Sequence, residues 1–393
     1  MNCPTLTLEA ATDRTWDVAV VGAGPAGALA ARQLAARDRE VLLIDKAAFP
    51  RRKVCGCCLN AAALAALNTV GLGKLPDQHG AVPLRWLALA SRRRRALIPL
   101  PRGASLSREV FDTALIQCAV NAGAAFVPKT RAVLRLIRGG PHQLTLHHDG
   151  RLVVVESRVV VAADGLGGRL LDGYAELTLR AAPGSRIGAG AIVEAAPSAY
   201  AAGSIFMACG QGGYVGLVRL EDGRLNVAAA LDRGFVQRVG GPSAAASRLL
   251  EEAAMPAISG IEQAKWRGTP ALTCAPAHIG AERLFVVGDA AGYVEPFTGE
   301  GIAWALASSV AAAPLADQAV DRWDDALAAR WEREHRRLIG RRRQLCRLIT
   351  AALRRAALTR GMVGVLSRAP ALAGPIVRRV NAPVPLAPAA GSP

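Results

Sequence analysis

A glycine cluster between an apolar run and an alanine-rich run has the spacing that phosphate binding needs. The segment VVGAGPAGALAARQL places Gly22, Gly24 and Gly27 in a G-x-G-x-x-G pattern, with Ala26 inside it. The first glycine permits a sharp turn, the second lets a phosphate approach the backbone, and the third lets a helix pack closely on a strand. The amides at the start of such a helix are free to bind an anion. The sequence therefore predicts a dinucleotide site at these four residues.

The elements on either side of the cluster support this prediction. The run DVAVV before it is apolar and β-branched and predicts a buried strand, and ALAARQLAARD after it predicts a helix. The run EVLLID then predicts a second strand that ends at Asp45. A carboxylate about 20 residues beyond the glycines, at the end of the second strand, accepts hydrogen bonds from a ribose. We assign that role to Asp45.

Four further segments contain isolated charged residues, glycines or cysteines. They are FPRRKVCGCCLN with Cys55 and Gly56, SLSREVFDTALIQ with Arg108, VVVAADGLGG with Asp164, and LFVVGDAAGYVEPFTGEGI with Asp289, Pro296, Gly299, Gly301 and Ile302. Both aspartates follow buried strands. In the last segment a helix is predicted to begin around Gly299 to Gly301, and the start of a helix stabilises negative charge.

In this order, the segments resemble those of FAD-dependent oxidoreductases of the para-hydroxybenzoate hydroxylase superfamily. That superfamily includes group A monooxygenases, flavin halogenases and geranylgeranyl reductases. The resemblance covers most of residues 15–320 and implies FAD as cofactor and NAD(P)H as the electron donor. It implies that Asp289 holds the ribityl chain and that the helix after it points at the flavin pyrimidine edge. The remaining residues that it places against FAD are Cys55, Gly56, Arg108, Asp164, Gly299, Gly301 and Ile302.

The resemblance also implies an α/β fold in which a Rossmann-like FAD-binding domain is interleaved with a β-sheet substrate domain. The expected FAD-binding domain is discontinuous and consists of residues 15–75, 102–180 and 270–320. Residues 76–101 and 181–269 are the expected substrate domain, because they contain a hairpin and several alternating strands. Helices are expected at 321–380, and residues 381–393 are expected to form a disordered tail.

The composition limits the partners. The formal net charge is +17, but only five of the 48 basic residues are lysines. The cluster SRRRR near residue 91 contains no aromatic residue, whereas nucleic-acid surfaces interleave the two. We therefore predict no nucleic-acid partner, and a small organic molecule as substrate. The eight cysteines lack zinc-site spacing, so no metal is predicted.

The sequence shows no secretory signal pattern and no apolar run long enough to span a membrane, so a cytoplasmic location is expected. Beyond Asp317 the chain becomes helical and arginine-rich, as in RRLIGRRRQLCRLITAALRR. Two interpretations remain open. These helices contact an anionic membrane from the cytoplasmic side, or they pack on the FAD domain and leave a solvated arginine face.

The preferred function is that of an FAD-dependent oxidoreductase, namely an NAD(P)H-dependent monooxygenase that hydroxylates a hydrophobic or aromatic small molecule. One alternative is a geranylgeranyl reductase-like enzyme that reduces carbon–carbon double bonds of prenyl chains. The Cys-Gly segment and TGEGI favour that alternative, and the absence of the family's Tyr-x-Trp-x-Phe-Pro segment counts against it. An alternative of another class is a non-catalytic flavin-holding or membrane-docking protein.

The sequence identifies no general base, because none of the six histidines lies in a recognised motif. Cys55 and Pro296 are its candidates for residues close to the reacting atoms. A cysteine beside a flavin has a redox or an acid role open to it. Tight packing explains Cys55, Cys57 and Cys58 as well, because all three are small.

Overall fold

A computed structural model describes residues 5–195 and 197–386. The strands in this part of the chain are β1 (Thr15–Val21), β2 (Val41–Ile44), β3 (Cys58–Leu59), β4 (Val82–Ser91), β5 (Arg94–Ser105), β6 (Ala125–Val127), β7 (Arg131–Arg135), β8 (His142–His148), β9 (Arg151–Ala162), β10 (Arg180–Ala181), β11 (Ile187–Val193), β12 (Ser204–Gly210), β13 (Gly213–Arg219), β14 (Leu225–Leu231), β15 (Arg267–Ala271), β16 (Cys274–Ala275), β17 (Gly280–Ala281) and β18 (Leu284–Val286).

The α-helices are α1 (Pro25–Ala35), α2 (Ala61–Asn68), α3 (Leu75–Gln78), α4 (Arg108–Asn121), α5 (Arg233–Val239), α6 (Pro242–Glu252), α7 (Gly301–Asp321), α8 (Ala326–Leu353), α9 (Ala356–Arg368) and α10 (Gly374–Asn381). Short 3-10 helices span Ala10–Thr12, Gly288–Ala291 and Pro370–Ala373. Within the described residues, no helix combines the length and the apolar character that crossing a membrane requires.

The first sheet has a parallel core with strand order β18-β9-β1-β2-β6, and β17 pairs with its edge. The β7–β8 ribbon is joined to it through β9. Strands β1 and β2 are apolar because helices cover the sheet, and α1 packs against α4 and α7 there. The carboxyl ends of β1, β9 and β18 meet at one edge, where α/β sheets bind their ligands.

The second sheet has the strand order β15-β11-β14-β13-β12-β4-β5-β3 and is antiparallel except at the β12–β4 pair. Successive side chains of a strand point to opposite faces. Ala208 and Val215 accordingly pack with α6, whereas Met207 and Tyr214 face the other side, toward the C-terminal helices. This face forms one wall of the candidate site.

The predicted fold class is confirmed: the chain is α/β, with a Rossmann-like sheet, a second β-sheet and a helical C-terminus. The strands of the first sheet come from three separated parts of the chain. The exact domain boundaries stay a prediction. Within the expected tail, Val384 is buried against the α7–α8 pair, so the chain remains packed to that point. Residues 387–393 of that tail lie outside the described residues.

Candidate active site

The glycine cluster forms the turn from β1 into α1. Gly22 has a φ of +104°, and a β-carbon built on it would lie 2.3 Å from the carbonyl oxygen of Ala163. A β-carbon on Gly27 would lie 1.8 Å from the carbonyl oxygen of Gly22. These two glycines are therefore required by the turn and by helix packing. Gly24 differs, because it has an ordinary φ of −74° and faces a large cavity.

Asp45 ends β2 as predicted and is buried, but it is not part of the cavity wall. One carboxylate oxygen accepts a hydrogen bond of 2.7 Å from the Ala23 amide inside the glycine turn. The other accepts one of 2.8 Å from the Ala47 amide. Asp45 thus ties the second strand to the phosphate turn, and its contact with a ribose stays a prediction.

Three cationic side chains converge on the glycine turn. Built on Gly24, a β-carbon would meet only the guanidinium groups of Arg51 and Arg108, at 3.5 and 3.7 Å. Arg108 donates two hydrogen bonds, of 2.7 and 2.8 Å, to Asp112 one helical turn away. Lys53 also lines the cavity, and burial together with the charge of Arg108 lowers its pKa. Arg51 and Lys53 lie in the segment FPRRKVCG, where no sequence motif distinguishes them from solvated basic residues.

Asp164 follows β9 as predicted, but its carboxylate turns back on its own loop. It accepts a hydrogen bond of 2.9 Å from the Leu170 amide, and burial raises its pKa. The neighbouring Gly165 lines the cavity instead. Asp164 therefore stabilises its own loop, and the neighbouring Gly165 of that loop faces the cavity.

The segment from Asp289 to Ile302 forms the opposite wall. Asp289, Pro296, Gly299, Gly301 and Ile302 all line the cavity. Gly299 has a φ of +68°, and α7 begins at Gly301 without a side-chain cap on its amides. The start of this helix therefore presents free amides to the cavity, as the sequence predicts.

Two serines of α7 hold this wall against the glycine turn. The hydroxyl of Ser309 donates to the carbonyl of Ala26 at 2.6 Å, and the Gly288 amide donates to the Ser308 hydroxyl at 2.9 Å. Both serines are fully buried. Because α7 and α1 are linked in this way, the two helix starts face one cavity.

Two buried glutamates, which the sequence analysis missed, fix the loop around Pro296. Glu295 accepts hydrogen bonds from Arg186 at 2.9 Å and from Arg354 at 3.3 Å. Glu300 accepts from Arg342 at 3.2 Å. Burial raises the pKa of both carboxyl groups, and the arginines oppose it. Both glutamates are present in the segment VEPFTGEG, but the sequence does not show their arginine partners, which lie on distant elements.

The cavity has a volume of 790 Å³ and continues from the glycine turn to the C-terminal helices. Beyond the cofactor-sized end, its wall is apolar and comes from β4, β5, β12, β13, α9 and α10. Its polar members are Asn381 of α10 and Tyr214 of β13, and Tyr214 is the more deeply buried of the two. The Tyr214 hydroxyl is buried without a hydrogen-bond partner among the described residues, and burial raises its pKa well above the usual value. The ring packs edge-on against Phe297 at 5.1 Å.

The cysteine cluster lies on the same wall. Cys55, Gly56, Cys57 and Cys58 all line the cavity. A hydrogen bond from the Cys57 thiol and the charge of Arg108 lower the pKa of Cys55 to about 6. Burial raises the pKa of Cys58 to about 12. The pKa of Cys55 thus differs in direction from that of Cys58, and the choice between a chemical role and a packing role for Cys55 stays a prediction.

The residues present fit an FAD molecule. Gly24 and Gly56 leave open backbone at the cavity, two helix starts face it, and Arg51, Lys53 and Arg108 surround the phosphate end. The Arg51 guanidinium group lies 3.4 Å from Asp112 and 3.8 Å from Asp45, so buried carboxylates hold it beside the glycine turn. The apolar end of the cavity leaves room for a substrate.

Comparison with known proteins also indicates an FAD-binding protein. The model of the FAD binding domain family matches residues 15–187. Digeranylgeranylglycerophospholipid reductase 2 of Methanosphaera stadtmanae is 30% identical over 337 residues, which cover 78% of this chain and 79% of the relative. The chain belongs to this family of FAD-dependent oxidoreductases. The predicted family is thereby confirmed, and so is the FAD binding domain.

Other relatives of this FAD-dependent oxidoreductase are matched over different lengths. A menaquinone reductase of Mycobacterium tuberculosis is 34% identical over 159 residues, so the match spans 39% of this chain and only 35% of that relative. A geranylgeranyl bacteriochlorophyll reductase-like protein of Thermoplasma acidophilum has the same fold, with a TM-score of 0.78 at 21% identity, covering 95% of this chain and 97% of its own. A flavin-dependent brominase superposes with a TM-score of 0.77 at 16% identity, covering 94% of each chain.

Proposed function

We propose that this FAD-dependent oxidoreductase reduces isolated carbon–carbon double bonds in the prenyl chain of a lipid or a quinone. The observation that carries the proposal is the cavity, whose apolar part continues from the flavin end to the C-terminal helices. A prenyl chain is long and apolar and has no group that needs a polar partner. The names of the matched relatives, which include prenyl-lipid and menaquinone reductases, support the same substrate class.

The protein's own contribution is to hold an unreactive alkene beside the cofactor in the absence of water. Leu89, Ile98 and Met207 of the second sheet face Met362 and Leu366 of α9 across the apolar part of the cavity. These side chains exclude water and orient the chain by shape, which is how a site without polar anchors positions a substrate. When bound, FAD supplies the hydride that such a reduction needs.

The second carbon of the double bond must receive a proton. We assign Cys55 as the residue that supplies it, because its thiol lines the cavity at the flavin end. With a pKa lowered to about 6, about a tenth of this thiol is protonated at pH 7, and this protonated form is the one that donates to the substrate carbon. Its neighbour Arg108 stabilises the thiolate that remains. We propose NAD(P)H as the source of the electrons.

The test is an anaerobic incubation of the FAD-loaded protein with NADPH and a geranylgeranyl lipid, followed by mass spectrometry of the product. The proposal expects two hydrogens gained per reduced double bond and loss of turnover in Cys55→Ser with FAD still bound. Leu366→Trp fills the apolar part of the cavity, so the turnover of a long prenyl chain should fall more than the turnover of a short one. Leu152→Trp, at an exposed position near the start of β9, is the matched control. An unchanged lipid, with dithionite as well as with NADPH as reductant, would overturn the proposal.

The monooxygenase that the sequence analysis prefers is the second candidate. The observation that favours it is the segment Gly213–Val218 on the cavity wall, which has one aromatic residue where geranylgeranyl reductases often have three. The same substrates in air separate the two reactions. NADPH-dependent oxygen consumption with one oxygen atom added to an organic substrate would replace the reductase with a hydroxylase.

A further inference from the structure

The cavity opens through the C-terminal helices. Val365, Leu372 and Ile376 line the cavity and are at the same time 53%, 61% and 46% exposed. Residues that contribute both to a cavity wall and to the outer surface lie at its mouth. Leu358, seven residues before Val365 and therefore on the same face of α9, is 50% exposed as well. The mouth is thus surrounded by exposed apolar side chains.

The chain from α9 to α10, which lines the mouth, carries charge of one sign. The sequence contains no aspartate or glutamate after Glu334, whereas it contains twelve arginines after His335. In the described residues, the ion pairs that this segment forms use Arg337, Arg342 and Arg354. The exposed arginines of α9 and α10 have no carboxylate partner in the part of the chain that the structure describes, and they are Arg360, Arg368, Arg378 and Arg379.

The arginine cluster of the second sheet lies beside the same helices. Arg92 and Arg93 form the exposed turn between β4 and β5, and Arg94 and Arg95 begin β5. The guanidinium group of Arg94 packs against Gly364 of α9. Strand β5 also contacts α9, α10 and the 3-10 helix between them. We call the surface formed by this turn, α9, the 3-10 helix Pro370–Ala373 and α10 the cationic mouth surface.

We propose that the cationic mouth surface docks on an anionic lipid bilayer. Exposed apolar side chains surrounded by arginines are the combination that binds a membrane interface, because the apolar groups enter the acyl boundary and the cations face the anionic headgroups. An exposed apolar patch alone would suit many partners, whereas a surface without any carboxylate selects a strongly anionic one. Docking in this orientation points the cavity mouth at the bilayer, so a prenyl chain would enter from it directly. That last step depends on the proposed function, and the docking does not.

The test is co-sedimentation of the FAD-loaded full chain with vesicles of phosphatidylcholine alone or with about one third phosphatidylglycerol, in the absence of NADPH and substrate. Binding to the anionic vesicles should be at least about tenfold tighter and should weaken as salt is raised. Arg378→Gln with Arg379→Gln should lose about tenfold in affinity. The matched control is Arg131→Gln with Arg135→Gln, two exposed arginines of β7, which should change little.

The apolar contribution has its own matched pair. Leu372→Ser with Ile376→Ser should weaken vesicle binding, whereas Leu152→Ser with Val154→Ser, which are 63% and 51% exposed on β9, should not. Equal binding to both kinds of vesicle, or equal loss in both pairs of variants, would overturn the proposal. A dimer that Leu372→Ser with Ile376→Ser dissociates, together with absent vesicle binding, would assign the surface to a second copy. Because substrate is absent from this experiment, a protein that docks without reducing prenyl chains refutes only the proposed function.

Discussion

Alanine substitutions at Gly22, Gly24 and Gly27 distinguish the glycines that the fold requires from the glycine that cofactor binding requires. In Gly27→Ala, the added carbon would lie 1.8 Å from the carbonyl oxygen of Gly22 and 3.0 Å from the β-carbon of Ala163. The backbone contact cannot relax without moving β1 or α1. Such overpacking costs about 1–3 kcal/mol in the free energy of unfolding. Gly22→Ala should behave similarly, because it combines a clash with a positive φ.

Gly24→Ala should leave the fold intact and weaken FAD binding. The added carbon meets only the flexible ends of Arg51 and Arg108, at 3.5 and 3.7 Å, and the φ of −74° suits alanine. We expect the free energy of unfolding to change by less than about 0.5 kcal/mol. The methyl group nevertheless occupies the space through which a phosphate must approach the backbone. Loss of one charge-assisted hydrogen bond, about 1.5–3 kcal/mol, corresponds to roughly 10–150-fold weaker binding.

The assay is a titration of the apo-protein with FAD, followed by quenching of flavin fluorescence, together with urea unfolding of each apo-variant. Gly173→Ala is the matched control, because its added carbon meets no atom within 4 Å. A dissociation constant for Gly24→Ala within about twofold of the parent would refute the assignment of this turn to a phosphate. Equal destabilisation of the apo-protein by Gly24→Ala and Gly27→Ala would refute the steric argument.

Two further predictions concern titrating groups. Because the pKa of Cys55 is lowered to about 6, the rate of its alkylation by iodoacetamide should level off above about pH 7. Cys55→Ser should abolish this fast alkylation. An alkylation rate that keeps rising through about pH 8.5 would contradict the lowered pKa. Burial lowers the pKa of His335 to about 3, below the value of 6.5 in the unfolded chain, so the stability that it supports is present above pH 6.5 and is lost as the pH falls. Between pH 7 and pH 5 the parent should therefore lose about 2 kcal/mol more than His335→Phe in urea unfolding, and equal losses would contradict it.

Much of the cofactor end of the site was predictable, because its signals are local. The spacing of Gly22, Gly24 and Gly27 follows from a strand turning into a helix around a phosphate, and the contacts that forbid a side chain are formed within a short stretch and its neighbouring strand. The cap of α2 is an equally local contact, because the side chain of Asn60 accepts a hydrogen bond of 2.9 Å from the Ala63 amide three residues on.

The substrate end was less predictable, because its walls come from strands and helices far apart in the chain. Nothing in the sequence distinguishes Tyr214 and Met207 from ordinary core residues, and only the pairing of β12 with β13 places both on the cavity side. The arginine-rich C-terminus illustrates the same limit. The sequence left a packed helix and a membrane surface open, and the tertiary structure places these helices at the cavity mouth.

The sequence by itself determined the family, the fold class and the position of the glycine turn, because strand–turn–helix geometry is dictated by neighbours in the chain. The tertiary structure decided which charges neutralise each other: Glu295 meets Arg186 from 109 positions away, and Glu300 meets Arg342 from 42. The tertiary structure also decided that the carboxylates of Asp45 and Asp164 accept hydrogen bonds from backbone amides. A buried carboxylate must find a donor wherever the fold supplies one, and only the packed chain shows where that donor lies.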